Sequence, residues 1–296
     1  MGMLRERMLA EMRALDFSRS TIRSYLSAAR RFAEHFGRSP LALGQEDCAA
    51  YFRYLAEIGA SPSRIWITHS AIKFLYRIFG REDATDLVRL PRRKSKLPAV
   101  MGRAEVQAVF EQCRDKRYKA LFALIYSAGL RISEALALQV GDIDFERRQI
   151  FVRAGKNSKD RYSILGVKAA DCLRAYMRAY RPVGQLFYAR RDRLKPLCKR
   201  SAQSAFRILA LRAGIGKQVH VHTLRHSFAT HLLEDGVNIF YIMRLLGHSS
   251  IKTTQIYLHM RRLDDLDIKS PIDAPEMDLE RGPSDPDGQF LLPLAS

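Results

Sequence analysis

The chain has 296 residues, enough for two domains of ordinary size, and its hydrophobic content of 47% is normal for a soluble globular protein. With 50 Lys and Arg against 31 Asp and Glu the net charge is +19, a surplus that repels itself in the compact state and suits a polyanionic partner, nucleic acid ahead of a membrane surface. No apolar run approaches the roughly 20 residues of a spanning helix, and the opening MGMLRERMLAEMRAL lacks the apolar stretch of a signal peptide.

The first ninety or so residues read as helices only. In STIRSYLSAARRFAEHF, Ile22, Tyr25, Leu26, Ala29, Phe32, Ala33 and Phe36 fall on one helical stripe, with Ser18 or Ser20 as N-cap and Gly37 as stop. Arg23, Arg30 and Arg31 lie off that stripe, which makes them candidates for phosphate contact. EDCAAYFRYLAEIG and SPSRIWITHSAIKFLYRIFG repeat the pattern and end in Gly59 and Gly80, so residues 1–88 form a small bundle. RLPRRKSKLPAV then interrupts it. Pro91 and Pro98 bracket Arg92, Arg93, Lys94 and Lys96, and residues 89–100 read as a basic linker lying along phosphates.

Past the linker, RAEVQAVFEQC and YKALFALIYSAG read as helices, and RISEALAL continues helically. The period then changes to alternation around Ile150 to Val152 and Tyr162 to Leu165, with a turn at GKNSKD, a small antiparallel sheet within a helical domain. Helices return at 167–180, 201–213, 222–235, 238–246 and 251–259, closing a second domain over 101–262. From residue 263 the composition turns acidic and Pro-rich, with nine acidic residues from Asp264 to Asp287 facing Lys269 and Arg281, so 263–296 is expected to be largely disordered. Cys48, Cys113, Cys172 and Cys198 are widely spaced, without a CxxC pair, and read as buried thiols in a reducing cytosol.

Several polar residues stand where chemistry could use them. In VHTLRHSFATHLLEDG, Leu224, Phe228 and Leu232 share one helical face, and His222, Arg225, His226 and Ala229 share another. His222 and His226 at i,i+4 suggest a metal pair, but no HExxH carboxylate accompanies them and the adjacent Arg repels a cation, so no metal is expected. His226 and His231 read as satisfied structural histidines. Arg131 follows Gly129 and Leu130 in an apolar region and needs an anion; Glu134, one turn on, supplies one. Lys156 and Lys159 sit on the hairpin turn, and His248 precedes the helix of Tyr257.

The pieces GLRISEAL, GKNSKDR, HTLRHSFATHLL and LLGHSSIKTTQIYLH, in that order, resemble the tyrosine recombinases, the site-specific integrase family, and within it the short two-domain Xer-like members. The resemblance covers nearly the whole chain up to about residue 262. It implies a SAM-like N-terminal helical bundle that binds core DNA, joined to a mixed α/β catalytic domain; the fold class is mainly α with a small antiparallel sheet. The family's signature set falls on Arg131, Lys156, His222, Arg225, His248 and Tyr257, with Glu134 at its accessory acidic position.

That set is chemically coherent. Two guanidiniums suit the extra charge on the non-bridging oxygens of a phosphodiester transition state. Tyr257 is the nucleophile, His222 the family-implied base, His248 a donor to a phosphate oxygen, and Lys156 an acid for the leaving 5′ oxygen. The product is a 3′-phosphotyrosyl ester whose bond energy is kept for rejoining, with no cofactor. The resemblance further implies double-stranded DNA with a specific site, a homotetramer, alone or with a partner recombinase, a Holliday junction, and work at the nucleoid of a bacterial cytoplasm. Type IB topoisomerase activity, or DNA binding without catalysis, are the alternatives. The segment after Tyr257 departs from the Xer-like pattern, because RRLDDLDIKSPIDAPEMDL allows only a short helix before Pro271.

Overall fold

The computed structural model describes residues 2–92, 97–153, 160–189 and 192–258. The chain divides into two compact units, 1–96 and 97–296. Arg93, Lys94, Lys96, Lys156, Lys159 and the acidic segment 263–296 lie outside the described residues.

The first unit holds α1 (Gly2–Ala14), α2 (Arg19–Phe36), α3 (Gln45–Glu57) and α4 (Pro62–Ile78). The α2 start is set by Ser18, whose side chain accepts from the Thr21 N–H at 3.1 Å, and Gly37 ends the helix at φ 60°. The α2 stripe buries Phe32 against Tyr51, Ile72 and Tyr76, and the Tyr76 hydroxyl donates to the Pro40 carbonyl at 2.8 Å, so the buried phenol is satisfied. Arg23, Arg30, Arg31 and Arg92 are exposed. Arg30 pairs with Glu34 at 3.3 Å, a solvated contact of little energetic weight.

The second unit is mainly helical: α5 (Arg103–Gln112), α6 (Lys116–Ala128), α7 (Ile132–Ala137), α8 (Val167–Tyr180), α9 (Lys199–Arg212), α10 (Val221–Glu234), α11 (Ile239–Leu246) and α12 (Ile251–Gln255). Strands β1 (Ile143–Asp144), β2 (Gln149–Val152) and β3 (Arg161–Ile164) form an antiparallel sheet in that order, pairing Ile150 with Ser163 and Phe151 with Tyr162. A second antiparallel pair, β4 (Tyr188–Ala189) with β5 (Asp192–Pro196), occupies a stretch where the sequence pattern assigns no element. Among the described residues no helix is long and apolar enough to cross a membrane.

Three expectations need correction: the helix expected over 251–259 ends at Gln255, two residues short of Tyr257. RISEALAL does not continue α6: Gly129 caps that helix at φ 61°, and Arg131 stands in extended backbone as N-cap of the separate α7. The break has a local cause. Glu134 at the third position of α7 reaches back to the Arg131 N–H at 2.8 Å, so the new helix end is satisfied only if the chain restarts there. Nor are all the thiols buried, since Cys172 is half-buried and Cys198 exposed.

The α6 end is tightly determined. A Cβ on Gly129 would lie 2.5 Å from the Phe228 ring and 2.8 Å from a Leu246 methyl, on top of its left-handed backbone. Gly129→Ala is therefore expected to lower stability by about 1–3 kcal/mol through overpacking, read as a lower urea midpoint with an unchanged slope.

Candidate active site

The carboxylate of Glu134 organises the site. Its Oε1 accepts from Arg131 Nη1 at 2.7 Å and from Arg161 Nη1 at 3.2 Å, while Oε2 accepts from Arg161 Nη2 at 2.8 Å and lies 3.7 Å from Arg225 Nη1. Burial on its own raises the Glu134 pKa, but Arg161, the Arg131 N–H and the Arg131 head together bring it down to about 2. Arg161 arrives from β3 by strand alternation, on the inward face it shares with buried Ser163, and its Nε donates to the Leu245 carbonyl at 2.9 Å.

Arg225 is not on an open polar face of α10. It is 1% exposed, and its fork is filled from two breaks in the helical pattern. Nη1 donates to the Gly129 carbonyl at 2.6 Å, and Nη2 donates to the Leu246 carbonyl at 2.7 Å and to His248 Nε2 at 3.0 Å. Helix ends present carbonyls that lack intrahelical partners, so the ends of α6 and α11 are natural acceptors for a buried guanidinium. Desolvation first, then the charge of Arg131, lower its pKa to about 10, which leaves it a cation at neutral pH.

His248 is held on two sides. Arg225 only donates, so His248 Nε2 accepts, and Nδ1–H of the neutral ring donates to Thr254 Oγ1 at 2.9 Å. Burial, followed by the charges of Arg225, Arg131 and Arg161, brings His248 down to about 4.

Tyr257, two residues beyond α12, packs with Phe228, Leu233, Ile242 and Leu246 and is 2% exposed. Its hydroxyl is 3.0 Å from His226 Nδ1. Burial raises its pKa, and the charges of Arg225 and then Arg131 pull it back. His226 itself falls to about 4 through burial, then through His222 and Arg225. The His222 ring stands edge-on to that of His226, with centroids 4.9 Å apart, and is lowered by desolvation and by the same two arginines. His231 is satisfied elsewhere, through the Tyr126 hydroxyl at 2.7 Å.

The structure thus gathers Arg131, Glu134, His222, Arg225, His248 and Tyr257 in one site, and leaves Lys156 outside the described residues. Three contributors escape the sequence reading: Arg161, Thr254 and the contact that His226 makes with Tyr257. The alternation of β3 is the available signal for Arg161; the spacing of Thr254 and His226 carries none. Beside the site opens a cleft of about 980 Å³, lined by Arg131, Arg161, Tyr162, Tyr241, Arg244 and His248 among others. Among the described residues no group of three His, Cys, Asp or Glu side chains has the geometry to hold a metal.

Glu134→Gln keeps the shape but leaves the cations without their anion, and should cost about 3–5 kcal/mol in chemical denaturation. Acid should act in sequence. His226 and His248 sit near 4 in the fold against 6.5 for the ordinary side chain, so the unfolded chain binds protons first. Their contribution is complete above pH 6.5 and is lost as pH falls through 4; that of Glu134 goes between 4.5 and about 2. Thermal midpoints measured from pH 7 to 4 should fall, and fall less in His248→Gln.

The chain is similar to known proteins over most of its length. The Phage integrase family matches residues 97–263, and the phage integrase N-terminal SAM-like domain matches residues 4–86. Tyrosine recombinase XerA of Thermococcus kodakarensis is 36% identical over 242 residues, 80% of this chain and 83% of that protein. A XerA recombinase crystal structure superposes with a TM-score of 0.53 at 28% identity, covering 90% of this chain and 95% of the other. XerH bound to its difH substrate before cleavage gives a TM-score of 0.66 over 80% of this chain and 75% of the other; at 22% identity that likeness concerns the fold. The chain belongs to the phage integrase family, the tyrosine-type site-specific DNA recombinases.

Proposed function

We propose that this recombinase cuts and rejoins double-stranded DNA at a specific site through a 3′-phosphotyrosyl intermediate at Tyr257. The observation that carries the reading is a buried phenol beside a cluster of fixed guanidiniums, close enough that the charges of Arg225 and Arg131 partly offset the effect of burial on its acidity. The cations favour an anionic phosphodiester and the charge that grows on its non-bridging oxygens. Arg131 is half-exposed beside the cleft and meets the phosphate first. Arg225 presents a fork whose far side is already tied to two carbonyls.

In this reading the phosphate takes the place of His248 on Arg225. Its negative charge raises the His248 pKa, which turns the ring from acceptor into donor toward a phosphate oxygen. The bond from phosphorus to the Tyr257 oxygen forms, and the bond to the 5′ oxygen breaks with a proton from Lys156. His222, ring to ring with His226, serves as base and takes the phenolic proton that is hydrogen-bonded to His226 before attack. A second 5′ hydroxyl reverses the step on another strand, so that four protomers on two sites pass through a Holliday junction. Residues 1–88 and 101–262 grip the duplex, with Arg23, Arg30, Arg31, Arg92, Arg93, Lys94, Lys96 and Lys159 on the backbone and 89–100 as a strap. The exposed rings of Tyr162 and Tyr241 rim the cleft, where they lie against the sugars. The acidic segment 263–296 screens the basic surface until DNA displaces it, and the work is done at the nucleoid.

The test is a nicked suicide duplex carrying the site, recovered by repeated selection of bound DNA from a random pool. Wild-type protein should form a covalent adduct that survives denaturant, and Tyr257→Phe should form none. Arg225→Lys should slow adduct formation by about 100-fold, because a point charge cannot keep both carbonyl bonds and reach the phosphate. An adduct with Tyr257→Phe would sink the reading, and relaxation of site-free plasmid would move it to a topoisomerase.

A further inference from the structure

The site contains one side chain in contact with the attacking oxygen to which neither composition nor the signature residues give a task. His226 Nδ1 lies 3.0 Å from the Tyr257 hydroxyl, across from α10 to the segment just beyond α12. The direction of that hydrogen bond is set by the groups within reach. Among the described residues the hydrogen-bond partner of the Tyr257 oxygen is His226. Were Nδ1 to carry the proton, the phenolic hydrogen would be left buried without an acceptor among the described residues, a cost of about 1–3 kcal/mol. The satisfied arrangement is the phenol donating to an unprotonated Nδ1, and burial among cations keeps this ring neutral at pH 7.

A phenolic hydrogen rotates about the C–O bond, and an attacking oxygen must turn a lone pair, not that hydrogen, toward phosphorus. Fixing the hydrogen on His226 settles the question. We propose that His226 aims the Tyr257 hydroxyl, holding its hydrogen away from the arginines and leaving the lone pairs for the phosphate. The orientation of the imidazole is itself constrained. Its ring is tilted 48° to that of Tyr257 with centroids 5.8 Å apart, and the His222 ring packs edge-on against it at 85°. The segment around α12 is then pinned at two points, by Tyr257 on His226 and by Thr254 on His248 at 2.9 Å. Each pin ends on a histidine that borders Arg225. Placement of the nucleophile and of the phosphate-binding fork therefore share one frame, and small errors in such placement are costly in rate.

This inference rests on the proposed chemistry at Tyr257, and the experiment separates the two. Single-turnover adduct formation on the selected nicked duplex is measured for wild type, Tyr257→Phe, His226→Phe, His226→Gln and His226→Asn, with thermal midpoints and DNA affinity for each. Phe keeps the ring and removes the acceptor. Asn places its Oδ1 on the same γ carbon as Nδ1, whereas Gln places its oxygen one bond further out. The expected result is a fall of about 10- to 100-fold in adduct formation for Phe and Gln, a range typical of losing a placed polar contact to a reacting group, with Asn recovering at least about tenfold of a 100-fold loss, or most of a smaller one. His226→Phe at the wild-type rate overturns the proposal. So does Asn no faster than Phe, which would mark a packing role. If Tyr257→Phe still forms adduct, the proposed function fails instead.

Discussion

Three guanidiniums around one carboxylate is the constraint on which the catalytic unit is built. At about 4 Å, two like charges in a protein interior of effective dielectric near 20 repel by roughly 4 kcal/mol, so Arg131, Arg161 and Arg225 do not gather unless an anion holds them. Glu134 supplies that anion, and a cluster already neutralised in part can still welcome a second, mobile one. The same carboxylate caps α7 through the Arg131 N–H, which obliges the chain to stop α6 at Gly129 and begin again. The stop exposes the Gly129 carbonyl, and Arg225 uses it. Local helix grammar and site electrostatics are here one arrangement.

The tyrosine is a packing residue and, in the proposed chemistry, a reactive one. Its ring completes a small cluster with Phe228, Leu233, Ile242 and Leu246, as an aromatic among aliphatics on a short helical segment suggests. Its oxygen is the part that departs from packing, reaching across to α10. Arg225 shows the converse: a charged residue placed as deeply as core aliphatics, stable there because helix ends supply carbonyls that need donors. His248 then reports the state of the fork, accepting from it while the fork faces protein.

Much of this was legible in the residues. Periodicity located α2, α3 and α4 of the first unit, the β2–β3 pair and α8 to α11 of the second to within a residue or two, because amphipathic stripes and caps such as Ser18 and Gly37 act locally. The separation of α7 from α6 was not legible by periodicity, since Ile132, Ala135 and Leu136 extend the apolar pattern of α6 almost unbroken. The capping contact from Glu134 decides it, whereas spacing alone suggests only an ion pair for that residue. The β4–β5 pair, short and mostly exposed, has too little burial to leave an alternating signal. Within the site, Arg131 stood out by its apolar surroundings and Glu134 by its place one turn on, whereas Arg161 did not; the pairing of His226 with Tyr257 joins positions 31 apart in sequence and depends on how α10 and the segment beyond α12 pack.

The depth of Tyr257 has a kinetic corollary. With the ring 2% exposed, a duplex gliding over the surface meets no open phenol, and attack by the proposed nucleophile would wait on a brief parting of the side chains that cover its oxygen while the bond to His226 holds. The speed would then be the intrinsic chemistry multiplied by the fraction of time that cover is parted, a delay incurred at every visit.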